Sequence, residues 1–250
     1  MLAFLSDLRI GWNSWLEAQQ YEQAFWQRLG DDIAAGSTTH LDWYAWRAKQ
    51  LEQFMTDAGA PRSNGTVLEI GSGPVGIVNF LEWGTRFAID PLEHFYRTHP
   101  ALVALRNPAV TYVDGTGERL PFDDGSCALV IIDNVIDHTY APGKILDEIH
   151  RILRPDGHLY LSVNVHTRWG FLLHSALAGL QIDKGHPYTF TSGTLRRFID
   201  SHHFTVLTER IHDYQESRRA DRGASSVKAR VKGYTGLSEF SHAVMCRKTV

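Results

Sequence analysis

The chain has 250 residues, of which 43% are hydrophobic, 21% charged and 11% aromatic. This balance is that of one large folded domain, or one domain with an added cap, and it excludes disorder as the main state. The formal net charge of −3 argues against nucleic acid as a partner, because phosphate binding usually shows as a basic excess.

Cysteine content and the length of apolar runs indicate the compartment. Cys127 and Cys246 are the two cysteines of the chain, which excludes a disulfide framework and a four-cysteine zinc site. No apolar run reaches the ~18 residues of a transmembrane helix. The first residues lack the basic leader and apolar core of a signal peptide. We therefore predict a cytoplasmic protein with no membrane span.

Residues 1–60 predict helices rather than strands. Large apolar side chains recur near three- and four-residue spacing, which predicts one aromatic helix face: Trp15, Tyr21, Phe25, Trp26 and Leu29. A second helix is expected over residues 41–58, before the Gly- and Pro-containing break at residues 59–65. The chain is therefore divided into an N-terminal helical cap, residues 1–60, and a second domain, residues 61–250.

From residue 66 onward, short apolar strands alternate with helices. The strands are expected at residues 66–70, 86–90, 110–113, 128–133, 158–163, 204–211 and 240–246. The helices are expected near residues 75–82, 92–105, 143–153 and 194–201. This alternation predicts a mostly parallel sheet that is covered on both faces. Residues 216–239 interrupt it as a long basic insertion without clear periodicity.

A glycine-rich turn lies between the first strand and the next helix. Residues 67–76 read Val-Leu-Glu-Ile-Gly-Ser-Gly-Pro-Val-Gly, and glycines here let the backbone approach a ligand closely. Asp90 follows Gly71 by nineteen residues and ends the second strand, where its carboxylate can accept hydrogen bonds from both hydroxyls of a ribose. The pair predicts an adenosine-containing cofactor, either S-adenosylmethionine or a dinucleotide.

Two residues favour S-adenosylmethionine over NAD. Glu69 lies two positions before the first glycine, where its negative charge would repel a pyrophosphate but suits a cofactor that carries a sulfonium and an ammonium group. Pro74 removes one of the backbone N–H groups that a pyrophosphate would use.

Three further segments carry a family resemblance. Residues 115–122 read Gly-Thr-Gly-Glu-Arg-Leu-Pro-Phe, residues 133–138 read Asp-Asn-Val-Ile-Asp-His, and residues 148–157 read Glu-Ile-His-Arg-Ile-Leu-Arg-Pro-Asp-Gly. Together with the glycine loop, in this order and spacing, they resemble the class I S-adenosylmethionine-dependent methyltransferases. The similarity is to the type 11 subgroup, which resembles the ubiquinone/menaquinone-biosynthesis methyltransferases, and it runs from about residue 67 to 165.

The resemblance implies a fold, a cofactor and its contacts. The fold is α/β and Rossmann-like, with a seven-stranded, mostly parallel sheet whose last strand is antiparallel. The cofactor is S-adenosyl-L-methionine, and the implied contacts are Glu69, Gly71, Ser72, Gly73, Asp90, Pro91, Thr116, Gly117, Glu118 and Asp133. Thr116 stands where many relatives carry an aspartate against the adenine amino group, so an uncharged oxygen or the Gly117 backbone has to serve here.

Histidines after the fourth and fifth strands are the candidate catalytic residues. His138 is the leading general base, because an alcohol loses its proton as it attacks the methyl carbon and imidazole titrates near physiological pH. Its alternative role is a cofactor contact. His166 is the second candidate, with a surface-loop histidine as the alternative, and His186 is the third. Asp137, His138 and His166 could instead hold a divalent ion, but their spacing is not diagnostic and no metal site is predicted.

The predicted reaction is methyl transfer to a small-molecule acceptor, with O-methylation of a sugar, glycan or natural-product hydroxyl preferred. The Asn-Pro-Pro-aromatic tetrad that marks many amino-group methyltransferases is absent after the fourth strand. The alternatives are an NAD-dependent oxidoreductase and an N- or C-methyltransferase of the same fold. The aromatic helix face is expected to be packing or a lid over the site. The basic insertion is expected to be a solvated loop or a clamp on an anionic acceptor.

Overall fold

The computed structural model describes residues 12–37, 41–178 and 188–249. The chain begins with two long helices, α1 (Trp12–Ala34) and α2 (Leu41–Asp57). Among the described residues, no helix is both long and apolar enough to cross a bilayer. His186, the third candidate base, lies outside the described residues.

Seven strands of the described residues form one sheet, which confirms the predicted fold class. They are β1 (Thr66–Ile70), β2 (Thr85–Asp90), β3 (Val110–Asp114), β4 (Cys127–Asp133), β5 (Leu153–Val165), β6 (Phe204–Ile211) and β7 (Phe240–Lys248). The order across the sheet is β3-β2-β1-β4-β5-β7-β6, and β7 runs antiparallel to both of its neighbours while the other pairs are parallel. The carboxyl ends of β1 to β6 therefore meet at one edge.

Both faces of the sheet are buried, which is why β1 and β4 are apolar without alternation. On one face, helix α5 (Pro142–Ile152) buries Ile145 and Ile149 against the sheet. On the other face, α2 contributes Leu51 and Phe54 to a core shared with the strands. Helix α2 is thus part of the sheet's own core.

Two predicted helices are wrong in extent. Residues 75–82 contain a single 3-10 turn, Ile77–Phe80, which follows Gly76 in a left-handed backbone conformation with φ 81°. Residues 92–105 form two short helices, α3 (Glu93–Tyr96) and α4 (Pro100–Val103). Pro100 divides them because its ring excludes the residue before it, His99, from helical geometry.

The carboxyl-terminal third contains helices that the sequence patterns did not indicate. Helix α6 (Arg168–Ala178) follows β5 and was not predicted, whereas α7 (Ser192–Ser201) was. The insertion is an ordered pair of helices, α8 (Tyr214–Gly223) and α9 (Val227–Thr235). Because α8 buries no residue, its sequence has no apolar stripe that would predict a helix. The local signals are the N-caps, Asp213 for α8 and Ser226 for α9, whose side chains accept backbone N–H groups.

Candidate active site

A cavity of about 490 Å³ opens at the carboxyl edge of the sheet, a size typical of small-molecule sites. Its floor is formed by the ends of β1, β2 and β4 and the loops that follow them. Its roof is formed by α1 and α2. The predicted cofactor contacts Glu69, Gly71, Ser72, Gly73, Asp90, Pro91, Thr116, Gly117, Glu118 and Asp133 all line this cavity.

Asp90 ends β2 with both carboxylate oxygens tied to the main chain. One oxygen accepts the N–H of Gly73 at 2.9 Å, and the other accepts the N–H of Leu92 at 2.9 Å. A carboxylate has about four lone-pair positions, so two remain for the hydroxyls of a ribose. Burial raises the pKa of Asp90 to about 6, against the lowering effect of these two hydrogen bonds.

Glu69 is buried on β1 and faces both the cavity and the turn after the glycine loop. Its carboxylate accepts the N–H of Val78 at 2.9 Å and also binds the backbone of Ile77. Burial raises the pKa of Glu69 to about 8, and the nearby carboxylates of Asp133 and Asp90 add to the rise. Binding of a cation beside this carboxylate would stabilise its ionised form.

The glycine loop lies between the floor and the roof. Gly71 and Gly73 have φ values of 69° and 61°, a conformation that strains any residue with a side chain. A Cβ at Gly73 would lie 3.0 Å from the Tyr44 hydroxyl of α2 and 3.1 Å from the Trp26 ring of α1. Both roof helices therefore contact the loop at Gly73, which also lines the cavity.

The remaining floor contacts surround the loop. Ser72 is buried and donates its hydroxyl to the carbonyl of Gly73 at 2.9 Å. Glu118 accepts the N–H groups of Tyr140 and Ala141 at 3.0 and 3.1 Å, so its carboxylate orders the chain that leads into α5. Thr116 also lines the cavity.

Asp133 joins the floor to the roof at the end of β4. Its carboxylate accepts the hydroxyl of Ser162 and lies 3.4 Å from Nε of Arg47 on α2. The Arg47 guanidinium stacks on the ring of Trp43, 4.4 Å from its centroid, and Trp43 lines the cavity. Burial raises the pKa of Asp133, while Arg47 and the Ser162 hydroxyl oppose the rise.

His138 lines the same cavity as the predicted cofactor contacts. It ends the 3-10 turn Ile136–His138 that follows β4, and its Nε2 lies 3.7 Å from Oδ2 of Asp137. Asn134, at the start of this loop, has φ 57°, a rare conformation for a residue with a side chain. The strained turn thus aims the post-β4 loop toward the cavity.

His166 lies elsewhere, in a smaller cavity of about 290 Å³. It is buried, stacks on His174 with ring centroids 5.1 Å apart, and places Nε2 3.5 Å from a carboxylate oxygen of Glu239. The divalent-ion alternative needed His138 and His166 together, but they line separate cavities. Within residues 12–37, 41–178 and 188–249, no three His, Cys, Asp or Glu side chains are grouped as a metal ion requires.

Helix α1 presents most of its predicted face to the cavity, which is lined by Trp15, Phe25, Trp26 and Leu29. Tyr21 is 67% exposed, so it does not share the buried face with Trp15. The stripe spaced i, i+4, i+7, i+11 and i+14 consists of Trp15, Gln19, Glu22, Trp26 and Leu29, and Phe25 lines the cavity beside it. Gln19 and Glu22 were not predicted because they are polar, but the 3.6-residue period through Trp15 and Trp26 includes them.

The central part of the chain matches a known domain family. Residues 68–161 match the sequence profile of the type 11 methyltransferase domain. An uncharacterised methyltransferase of Mycolicibacterium gilvum is 30% identical over 154 residues, which make up 60% of this chain and 55% of that protein. The chain therefore spans about half the length of the curated relatives it matches.

Solved structures share the fold. A Bacillus halodurans protein assigned as a methyltransferase has a TM-score of 0.58 at 18% identity, covering 81% of this chain and 100% of that one. A phosphoethanolamine N-methyltransferase 2 from Haemonchus contortus, solved with phosphomonomethylethanolamine and S-adenosylhomocysteine, has a TM-score of 0.53 at 15% identity. The match covers 81% of this chain and 53% of the Haemonchus contortus chain.

Sheet order, cavity and sequence match define the class I S-adenosylmethionine-dependent methyltransferase fold. Residues 68–161 are the part of the chain that is similar to the type 11 methyltransferase domain family.

Proposed function

We propose that the protein transfers the methyl group of S-adenosylmethionine to a hydroxyl of a small molecule, with His138 as the general base. The observation that carries the proposal is a single cavity that holds both the cofactor contacts and His138. When bound, S-adenosylmethionine supplies a methyl group that is activated by attachment to a sulfonium. The protein supplies position, exclusion of water and a proton acceptor.

The residues present fit this cofactor. Asp90 retains two lone-pair positions for the ribose hydroxyls, and Thr116 with the Gly117 backbone faces the adenine side. Glu69 supplies a buried carboxyl group beside the glycine loop, and the cationic end of the cofactor would favour its ionised form. Only His138 then has to act on the acceptor: it takes the hydroxyl proton, and the Asp137 carboxylate 3.7 Å away stabilises the imidazolium that forms.

The rival function, an NAD-dependent oxidoreductase, finds less support at the loop. A pyrophosphate needs unused N–H groups at a helix N-terminus. In this protein the loop leads into a 3-10 turn, and the Glu69 carboxylate already accepts the N–H of Val78. A phosphate bound at this loop would lie beside the Glu69 carboxylate, which would repel it. A thermal-shift assay distinguishes the two functions: S-adenosylhomocysteine should raise the unfolding temperature of the protein, and NADH should not.

For the acceptor we propose a flat or cyclic molecule that carries hydroxyls, either a sugar or a phenol. The roof offers the rings of Trp15, Trp26 and Trp43 for stacking and the side chains of Gln19 and Glu22 for hydrogen bonds. We further propose that α1 and α2 act as a lid that excludes water during transfer. The cytoplasmic location stays a prediction from the cysteine content.

The experiment is a mass-shift screen with cofactor carrying a deuterated methyl group. Three acceptor panels are offered separately: sugars, phenols and primary amines. Labelled product from sugars or phenols, lost in His138→Ala, supports the proposal. Product from amines alone, with His138→Ala still active, would contradict O-methylation and the base together.

A further inference from the structure

A surface outside the cavity holds large apolar side chains in solvent. On α9, Val227, Val231 and Tyr234 are 66%, 52% and 68% exposed. Their i, i+4, i+7 spacing places them on one stripe of the helix. On α6, Trp169 and Leu172 are three residues apart and are 60% and 63% exposed. Single exposed apolar residues are ordinary, but grouped ones mark interaction sites.

The two helices touch where Trp169 meets the carboxyl end of α9. The indole N–H of Trp169 donates to the carbonyl of Thr235 at 3.1 Å, and the Trp169 ring packs beside Gly236, directly after α9. We call Trp169, Leu172, Val227, Val231 and Tyr234 the carboxyl-edge patch.

Basic side chains flank the stripe on both sides. With ~100° of rotation per residue, Lys228 and Arg230 lie on opposite flanks, roughly 70–90° from the centre of the stripe. Both are exposed. Arg230 donates to the carbonyls of Ala224 and Ser225, and its guanidinium keeps its charge and further donors.

The surrounding segment is also basic. Residues 216–239 hold six Lys or Arg side chains and three Asp or Glu side chains. Arg218 and Arg222 both donate to the carbonyl of Gly233 and hold α8 against α9, while Lys232 pairs with Glu239 at 2.9 Å. The other three, Arg219, Lys228 and Arg230, are exposed and carry the surface charge.

We propose that the carboxyl-edge patch docks the protein on a lipid surface that bears anionic headgroups. An apolar helix face buries itself at the boundary between headgroups and acyl chains, and Trp and Tyr rings suit that boundary. Flanking Lys and Arg side chains then reach the anionic headgroups. A two-fold contact between two copies would place the basic flanks against each other, which like charges oppose. A nucleic acid would leave the apolar stripe without a partner.

The location of the patch determines which side of the protein would face the bilayer. Helix α6 follows the end of β5, and α8 and α9 follow the end of β6. Both strands run parallel to β4, whose end lines the cavity. Docking through the patch therefore brings the edge that carries the cavity next to the bilayer.

Flotation of the full chain with vesicles tests the proposal. We expect binding to vesicles of phosphatidylcholine mixed with phosphatidylglycerol, and weak binding to phosphatidylcholine alone. Raising salt from ~0.1 M to ~1 M shortens the screening length from about 10 to about 3 Å and should release much of the protein. The triple variant Val227→Ser/Val231→Ser/Tyr234→Ser should lose affinity by about tenfold or more, as should Arg219→Glu/Lys228→Glu.

Val103→Ser is the matched control. Val103 is 41% exposed on α4, outside the patch, so vesicle binding should not change. Circular dichroism and S-adenosylhomocysteine binding report that each variant is folded. The proposal is overturned if wild type does not float with anionic vesicles, or if the triple variant floats as well as wild type. It is also overturned if the wild type is a dimer without vesicle affinity that the triple variant converts to monomers, since the occupant is then a second copy.

Discussion

The floor and the roof of the cavity are built in different ways. On the floor, buried carboxylates at strand ends are fixed by main-chain N–H groups, as Asp90 is by Gly73 and Glu69 by Val78. The roof consists of large rings on α1 and α2 that rest on the floor through contact. The floor lies almost wholly inside the segment that matches the domain family, whereas the roof lies outside it. The proposed cofactor contacts therefore lie in the part of the chain that resembles the family, and the proposed acceptor contacts lie in the part that does not.

The two sides also differ in electrostatics. Glu69, Asp90 and Asp133 bring buried carboxyl groups to the floor, and burial raises the pKa of all three. The roof supplies Arg47, which pairs with Asp133. Burial makes ionised carboxylates unfavourable on the floor. Binding of a cationic ligand would favour their ionisation, and ionisation would in turn favour binding of that ligand.

The largest effect is expected at the contact between floor and roof. Gly73→Val places a side chain in the space held by Tyr44 and Trp26, 3.0 and 3.1 Å from its Cβ. It should weaken S-adenosylhomocysteine binding by ~100-fold or more, because the main chain is no longer open to the ligand. Calorimetry gives the affinity.

Gly59→Val separates this steric effect from backbone strain. Gly59 has nearly the same φ, 64° against 61°, but nothing lies within 4 Å of its Cβ. It should lose stability and keep cofactor affinity. Equal affinity losses in the two variants would assign the effect to strain and leave the contact between floor and roof unsupported.

The next effect concerns the base. His138→Ala should reduce kcat by ~100-fold, within the range of general bases, and leave S-adenosylhomocysteine affinity nearly unchanged. His166→Ala is the matched control, because His166 lies in the other cavity, and it should reduce kcat far less. A larger loss in His166→Ala would move the base to the loop after β5. Lost cofactor affinity in His138→Ala, with kcat retained, would make His138 a binding residue.

The floor could be predicted from the sequence because each of its parts has a local signal. Apolar runs indicated β1 to β5, and the distance from Gly71 to Asp90 indicated the ribose site. The hydrogen bonds of Glu69 to the turn at Ile77 and Val78 could not be predicted, since they depend on how the loop folds back over β1. They also explain why a 3-10 turn replaces the expected helix there.

The roof could be predicted only as helices. The direction in which α1 faces depends on its packing over the sheet, so Tyr21 was assigned to the wrong face while Gln19 and Glu22 were missed. The Arg47–Asp133 pair joins residues 86 positions apart in the chain, and no local pattern reports such a contact. Helices α8 and α9 were missed because their buried surface is small and their caps, Asp213 and Ser226, were not weighed.

A smaller effect is expected from pH through Asp90. Its pKa is raised to about 6, so below that pH the ligand-free protein holds a proton that ribose binding must release. Through this residue, affinity for S-adenosylhomocysteine should fall by about tenfold from pH 7 to pH 5. Calorimetry across pH tests this, with Asp90→Asn as control: the variant should bind more weakly at pH 7, and its affinity should fall about tenfold less than that of wild type from pH 7 to pH 5. Any loss of affinity below pH 8 that comes from Glu69 should persist in Asp90→Asn. Identical falls in wild type and variant would remove Asp90 from the ribose site.

The smallest effect measures how strongly floor and roof are coupled through Arg47 and Asp133. Arg47→Met keeps an apolar stem on Trp43 but removes the charge 3.4 Å from the Asp133 carboxylate. A double-mutant cycle with Asp133→Asn should give a coupling of about 1 kcal/mol in the free energy of unfolding at pH 7. Burial raises the pKa of Asp133, and Arg47 opposes that rise. The stability lost in Arg47→Met should therefore become smaller as the pH falls and Asp133 takes up a proton. A coupling near zero that does not vary with pH would show that α2 is held to the sheet by its apolar residues Leu51 and Phe54 alone, with no contribution from the ion pair.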